Sequence, residues 1–278
     1  MTTATVTPAT RLRSPLGDMQ AMFAPASGML GISLRHRGAE LLGTRGIPLL
    51  HPWANRLTAD LPDSPLLARD EHGLPIHGVT APYWEVFAST SWAIAAQLDF
   101  GAYPELLEFF PFPHRLIVRA FIGARTLTMR TTLIASGDVS VPLAFGFHPY
   151  LRVPGAMRST WRVELPGMEH LELDERSIPT GASEVVAHES FVLGARTYDD
   201  GYAGLERHAC FALSGGGRRI VVRFGDGYPC AQIYAPDDDD VICFEPMTAP
   251  TNALVTGDGL NWVRPGSSYT ATFAIEVS

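Results

Sequence analysis

Glu245 is a lone charge at the end of an apolar stretch. Residues 241–244 read VICF, a short run of strand formers, and Glu245 follows with Pro246 behind it. Proline donates nothing to a sheet ladder and pushes the residue before it into an extended backbone. The carboxylate is therefore expected where a core strand emerges into a loop, which Pro250 and Asn252 then keep irregular. A carboxylate in apolar surroundings is costly unless it is paired, hydrogen-bonded or protonated. Such a group acquires a raised pKa and suits the work of a general base, although a single strand-end Glu can equally reach water or cap a turn.

Four further places set a polar group in an apolar or Pro/Gly-framed stretch. Arg56 lies in HPWANRL, residues 51–57, and His77 in LPIHG, directly before Gly78. His148 is the one side chain of PLAFGFHPYL, residues 142–151, that ordinarily titrates near neutral pH, and Asp199 and Asp200 precede Gly201 and Tyr202. Each has a plain structural explanation when taken singly: a core histidine, a surface arginine, a turn. Together they form a different kind of set. A neutral sugar needs several donors and acceptors to fix its hydroxyls and an aromatic surface beneath its ring. Arg, His and Asp supply the first, and Trp53, Trp84, Tyr150 and Tyr202 are available for the second. Arg56 and His77 stand beside turn formers, so each is expected to bond a ligand and to be replaceable without loss of the fold.

The elements that must hold these groups read as strands. Met19–Ala24, Leu30–Arg35, Trp84–Thr90, Trp92–Phe100, Arg115–Phe121, Trp161–Leu165 and Ile220–Phe224 are all rich in strand formers. Thr126–Leu133 alternates, with Leu127, Met129, Thr131 and Leu133 on one face, and Gly123 precedes it in a hairpin turn. Tyr269–Val277 closes the chain with period two, placing Tyr269, Ala271, Phe273, Ile275 and Val277 together. No long stretch follows helical period, which predicts an all-β sandwich. With no low-complexity linker and a terminal strand that needs earlier partners, residues 1–278 are expected to form one domain, with 1–18 loosely held.

Bulk properties exclude several classes. The net charge of −8 argues against nucleic acid and anionic membranes as partners. The N-terminus lacks the apolar core of a signal peptide, and no run of 18 apolar residues occurs. Cys210, Cys230 and Cys243 have no metal-type spacing, which fits a reducing, cytoplasmic setting. There is no GxGxxG fingerprint, P-loop or HExxH, so neither a nucleotide cofactor nor a metal is expected. The oligomeric state, monomer or homodimer, is left open.

HPWANR, LPIHG with Trp84 seven residues after the His, FGFHPYL, YDDGY and CFEPMTAPTNAL occur in the order found in aldose 1-epimerases, the galactose mutarotases. The chain most resembles the bacterial aldose 1-epimerase-like branch, over residues 51–254. The resemblance implies a β-supersandwich of mostly antiparallel strands and a cofactor-free enzyme that interconverts the α and β anomers of a monosaccharide. By motif, Glu245 corresponds to the general base and His148 to the general acid. Arg56 and His77 match the sugar-contacting Arg and second His, and either Asp199 or Asp200 matches the binding Asp. The chemistry is ring opening: the base takes the C1 hydroxyl proton while the acid protonates the ring oxygen, and the ring recloses on the other face. A raised Glu245 and a His148 near its ordinary pKa would serve this near neutral pH. Two departures bear on the substrate: the best-studied galactose mutarotases carry Asn-His-x-Tyr-Phe where this chain has Phe147–Leu151, and Gln where it has Met247. A hexose-6-phosphate 1-epimerase, with phosphate held by arginines such as Arg35, Arg37, Arg69, Arg115 or Arg152, and a non-catalytic carbohydrate-binding protein are the alternatives.

Overall fold

The period-two stretches become strands whose apolar side points inward. In the computed structural model, which describes residues 9–278, Thr126–Ala135 pairs antiparallel with Ser268–Val277, placing Met129 opposite Phe273. Leu127, Met129, Thr131, Leu133, Ala271, Phe273, Ile275 and Val277 are all buried. Withdrawing a side chain such as Phe273 or Ile275 from water contributes about 1.5–3 kcal/mol. Gly123 donates its N–H to Thr126 across the expected hairpin turn.

These two strands are central members of a nine-stranded antiparallel sheet. Its order is Glu189–Val192, Arg162–Leu165, Cys210–Gly215, Arg218–Phe224, Ser268–Val277, Thr126–Ala135, His114–Ile122, Ala93–Asp99 and Glu85–Ser89. A second, eight-stranded sheet runs Pro179–Val186, Met168–Leu173, Tyr198–Ala203, Cys230–Ala235, Ile242–Met247, Gly146–Phe147 and Leu49–Leu50, with Tyr150–Leu151 also pairing on Ile242–Met247. The sheets pack face to face: Phe244 of the second stacks on Phe211 of the first at 5.3 Å, and Phe147 meets Phe273 at 5.1 Å. The α-helices among the described residues are two four-residue turns, Pro104–Leu107 and Ala253–Thr256. No helix is long and apolar enough to cross a membrane. The expected all-β, mostly antiparallel sandwich is the observed fold.

Three details depart from expectation. The start of the chain is not loose from residue 10 onward: Thr10–Arg13 pairs with Met19–Ala24, and the buried side chain of Leu12 anchors it. Residues 1–8 lie outside the described residues. The apolar stretch 142–151 splits into three short strands: Val141–Leu143 pairs with Asn261–Val263, while Gly146–Phe147 and Tyr150–Leu151 both pair with Ile242–Met247, the former also with Leu49–Leu50. Its prolines interrupt any continuous ladder. Finally, Glu245 is not at a strand exit, because Ile242–Met247 continues through Pro246. The Pro246 carbonyl faces Gly146, so its nitrogen also points to that side, where the pairing is already broken between Gly146 and Tyr150.

Candidate active site

Strand alternation decides which polar groups share a face. Glu245 lies opposite Gln232, Cys243 opposite Tyr234 and Tyr150, and Asp199 opposite Tyr234. Phe244 and Ile233 point the other way, into the core. Asp199 thus shares the Glu245 face, and Asp200, one residue on, belongs to the opposite one. The Asp200 carboxylate is 3.1 Å from His170 Nε2, while Asp199 lines a cavity together with Glu245 and His148.

Arg56 and His77 reach the same cavity from irregular backbone. Asn252, from the TNAL stretch, accepts bonds from the Thr58 N–H (2.9 Å) and hydroxyl (3.0 Å), which secures the segment carrying Arg56. His77 adopts a left-handed φ of 64° and Gly78 follows at 71°. A Cβ on Gly78 would collide with the His51 carbonyl, so only glycine lets these two backbones approach.

The cavity has a volume of about 260 Å³. At its floor His148 Nε2 stands 3.1 Å from Glu245 Oε1, and the two side chains are 5% and 1% exposed. Tyr150 stacks on the His148 ring at 4.1 Å, and Tyr234 and His77 meet it edge-on at 5.6 and 5.2 Å. These contacts leave the imidazole one orientation. Arg56 is held by Asp70 at 2.7 Å, Asp199 at 3.0 Å and Glu71 at 3.3 Å. Gln232 donates to the other Asp199 oxygen at 2.8 Å. His148 Nδ1, His77 Nδ1 and Glu245 Oε2 are buried with no partner in the protein. Three such atoms in one place mark a site built to receive polar groups from outside.

Burial sets the electrostatics. It raises the Glu245 pKa well above the usual carboxylate range, with the Asp199 charge adding and Arg56 opposing. It lowers the His148 pKa well below 6.5, with His77 and Arg45 adding. His77 is lowered to about 4 by burial and by Arg56 and Arg45. The raised Glu245 agrees with its apolar sequence context. His148 does not keep an ordinary pKa, because Tyr150, Tyr234 and His77 displace the water that would solvate an imidazolium.

The aromatic expectation is corrected as well. Trp53 and Tyr202 are buried in the core, and Trp84 lines a neighbouring cavity. Of the four, Tyr150 alone lines the cavity of Glu245, and Tyr234 supplies a second aromatic wall. Tyr234, Gln232, Asp70 and Arg45 escaped the sequence reading. Gln232 left one trace there: it is the polar amide within the strand CAQIYA, residues 230–235.

Arg56 is not a free loop donor. Its side chain is 6% exposed and Asp70 is 2% exposed. Arg56→Ala would leave Asp70 buried and unpaired, so a loss of about 3–5 kcal/mol of stability is expected beside any loss of ligand binding. Thermal melts check this, and an unchanged Tm would restore Arg56 to the role of a dispensable donor. Among the described residues, no group of three or more His, Cys, Asp and Glu side chains is arranged to hold a metal ion.

A family model described as aldose 1-epimerase matches residues 38–276. Among solved structures, a galactose mutarotase-like protein from Clostridium acetobutylicum superposes with a TM-score of 0.80 at 19% identity, covering 94% of this chain and 93% of its own. The Slr1438 protein from Synechocystis sp. PCC 6803 gives 0.78 at 22% identity, covering 98% and 96%. A galactose mutarotase related enzyme from Lactobacillus acidophilus gives 0.80 at 17% identity, covering 98% and 97%. Among curated proteins, none matches the chain in sequence.

Proposed function

The chain belongs to the aldose 1-epimerase family, and from that premise we propose that it interconverts the anomers of a free aldose by acid/base ring opening. The observation that carries this reading is the buried contact of 3.1 Å between His148 Nε2 and Glu245 Oε1. In a pyranose the C1 hydroxyl and the ring oxygen are bonded to the same carbon. A base for one and an acid for the other must therefore be close neighbours. Two carboxylates flanking a glycosidic bond, the arrangement of a glycosidase, stand farther apart.

The pair needs one proton between its members. Burial favours the neutral form, with Glu245 protonated and His148 neutral. Passing that proton to His148 creates the reactive form, and a bound sugar that supplies hydroxyl dipoles stabilises it. Glu245 carboxylate then takes the O1 proton as His148 imidazolium protonates the ring oxygen. The bond from C1 to the ring oxygen breaks and the C1 carbonyl forms. Rotation about C1–C2 and the reverse transfers give the other anomer and restore both groups. Arg56, Asp199 and His77 hold the remaining hydroxyls.

Charge supports a free sugar over a phosphorylated one. Of the arginines the sequence offered, Arg35, Arg37 and Arg115 pair with Glu40, Asp18 and Asp99, and Arg152 does not line the cavity. Arg69 reaches the cavity but bonds Asp63 and the carbonyls of Leu61 and Gly73. Arg56 already faces three carboxylates, which leaves Arg45, among the described residues, as the one arginine lining the cavity that meets no carboxylate, where a phosphate calls for several converging guanidinium groups. Anomer exchange measured by NMR on free and phosphorylated aldoses tests the reading: exchange is expected with free sugars. Sugar binding without exchange would assign the protein to the carbohydrate-binding class instead.

A further inference from the structure

Arg45 and His148 share one aromatic ring. His148 lies parallel to Tyr150 at 4.1 Å, with 8° between the planes. The guanidinium carbon of Arg45 stands over the same ring, 5.4 Å from its centroid, and one Arg45 N–H reaches the Tyr150 hydroxyl at 3.4 Å. Arg45 is exposed, and among the described residues its side chain has no other hydrogen bond and no ion pair.

The backbone beneath it is fixed to Tyr150. Arg45 lies in a turn closed by the Gly46 N–H on the Gly43 carbonyl at 3.1 Å. The Gly43 N–H donates to the Tyr150 carbonyl and the Tyr150 N–H to the Gly46 carbonyl, each at 2.9 Å. Gly46 has a left-handed φ of 71°, and a Cβ there would collide with the Gly31 carbonyl, so the turn needs this glycine. Only the Arg45 side chain is free to leave. It has room to do so, because Arg45 and Tyr150 line both the catalytic cavity and a neighbouring one of about 430 Å³.

The Arg45 charge falls on the proton pair. Around His148, burial keeps Tyr150, Tyr234 and Cys243 protonated by raising their pKa, and keeps His77 neutral by lowering its own. Arg56 is matched by Asp70, Asp199 and Glu71. Glu245 at 3.1 Å favours an imidazolium once it is ionised. Arg45 opposes one, since two cations on a single ring repel.

We infer that Arg45 gates the proton pair: resting on Tyr150 it keeps His148 neutral in the empty site, and a sugar whose hydroxyl oxygens draw it off the ring lets the imidazolium form. The inference rests on the proposed function and adds the regulation of its first step. Several hydroxyls can accept from one guanidinium fork, which outweighs a single long bond to Tyr150. The acid forms only when a ring oxygen is present to receive its proton, and the empty enzyme carries no buried ion pair.

The test follows the second proton of the pair, which would sit on His148 and stop the reaction on the acid side of the pH profile. In anomer exchange of glucose and galactose, kcat/KM reports the free enzyme and kcat the sugar complex. The wild-type acid limb of kcat should lie about one pH unit above that of kcat/KM, the scale of removing one nearby unit charge. In Arg45→Gln the kcat/KM limb should rise by a similar amount and the gap close. Histidine 15N shifts read the same protonation without catalysis: galactose should raise the imidazolium share of His148 in the wild type and not in Arg45→Gln. Thermal melts verify the variant's fold. Equal gaps in the two proteins, no gap in the wild type, or shifts that galactose leaves unmoved overturn the gate while the epimerase reading stands. No exchange of any sugar would sink the proposed function, and the 15N shifts would still decide whether a sugar displaces Arg45.

Discussion

Glu245→Gln should lose anomer exchange by about 10²–10⁴-fold, the usual worth of a general base, while still binding sugar. Gln is nearly isosteric and its carbonyl can accept the C1 hydroxyl bond, but it cannot take the proton. In the wild type, the rate should fall as pH rises, when the pair loses its one shared proton with an apparent pKa above that of a free Glu, following the direction that burial imposes on Glu245. The effect on stability has the opposite sense to that of an ordinary ion pair. A raised carboxylate holds its proton more tightly when folded than unfolded, so its contribution is most favourable in acid. It is lost as pH rises from the unfolded pKa through the folded one. At neutral pH Glu245 therefore burdens the fold, and Glu245→Gln should melt at the same temperature or higher. Exchange by NMR and affinity by calorimetry on the same samples read both effects. Near-normal exchange in this variant would remove Glu245 as the base and take the mechanism with it.

His148→Asn should reduce turnover by about 10²–10⁴-fold with little change in sugar affinity, because the amide cannot protonate the ring oxygen. A histidine that only filled space would give the reverse, a lower Tm with normal turnover per folded molecule. The linkage sign here is that of a depressed base. Folded His148 binds its proton less readily than unfolded, so stability is lost as pH falls below about 6.5, the ordinary pKa of histidine. The wild type should thus weaken in mild acid, and His148→Asn should show less of that weakening. Melts between neutral and mildly acidic pH, run beside the kinetics, separate the two roles.

Much of the sandwich was legible because half-buried strands alternate, and Thr126–Leu133 and Tyr269–Val277 show that pattern openly. Met168–Leu173 and Pro179–Val186 were not seen, since their side chains are largely exposed or half-exposed and carry no alternation of polarity. Glu245, His148, Arg56 and His77 stood out as polar groups in apolar or turn-framed surroundings, and all four line one cavity. Asp199 and Asp200 could not be told apart without the strand register that separates their faces. The partners of Arg56 were invisible for a different reason. Asp70 and Glu71 lie in a stretch that reads as an ordinary polar loop, and only the three-dimensional pairing shows that they bury the guanidinium. His148 was misjudged because its pKa depends on side chains contributed by three other segments.

The position of Ser268–Val277 has a consequence for how the protein is made. This strand lies between Arg218–Phe224 and Thr126–Ala135. While a ribosome still holds residues 268–277, the growing chain has the two flanking strands but nothing to join them. Both present open edges, which are templates for pairing with other chains. The large sheet can close only after its final strand has emerged, so the nascent polypeptide passes through an interval in which it depends on chaperones or on speed. A stalled or truncated translation product ending before Ser268 would keep those edges exposed, and aggregation during synthesis is the hazard this order of strands creates.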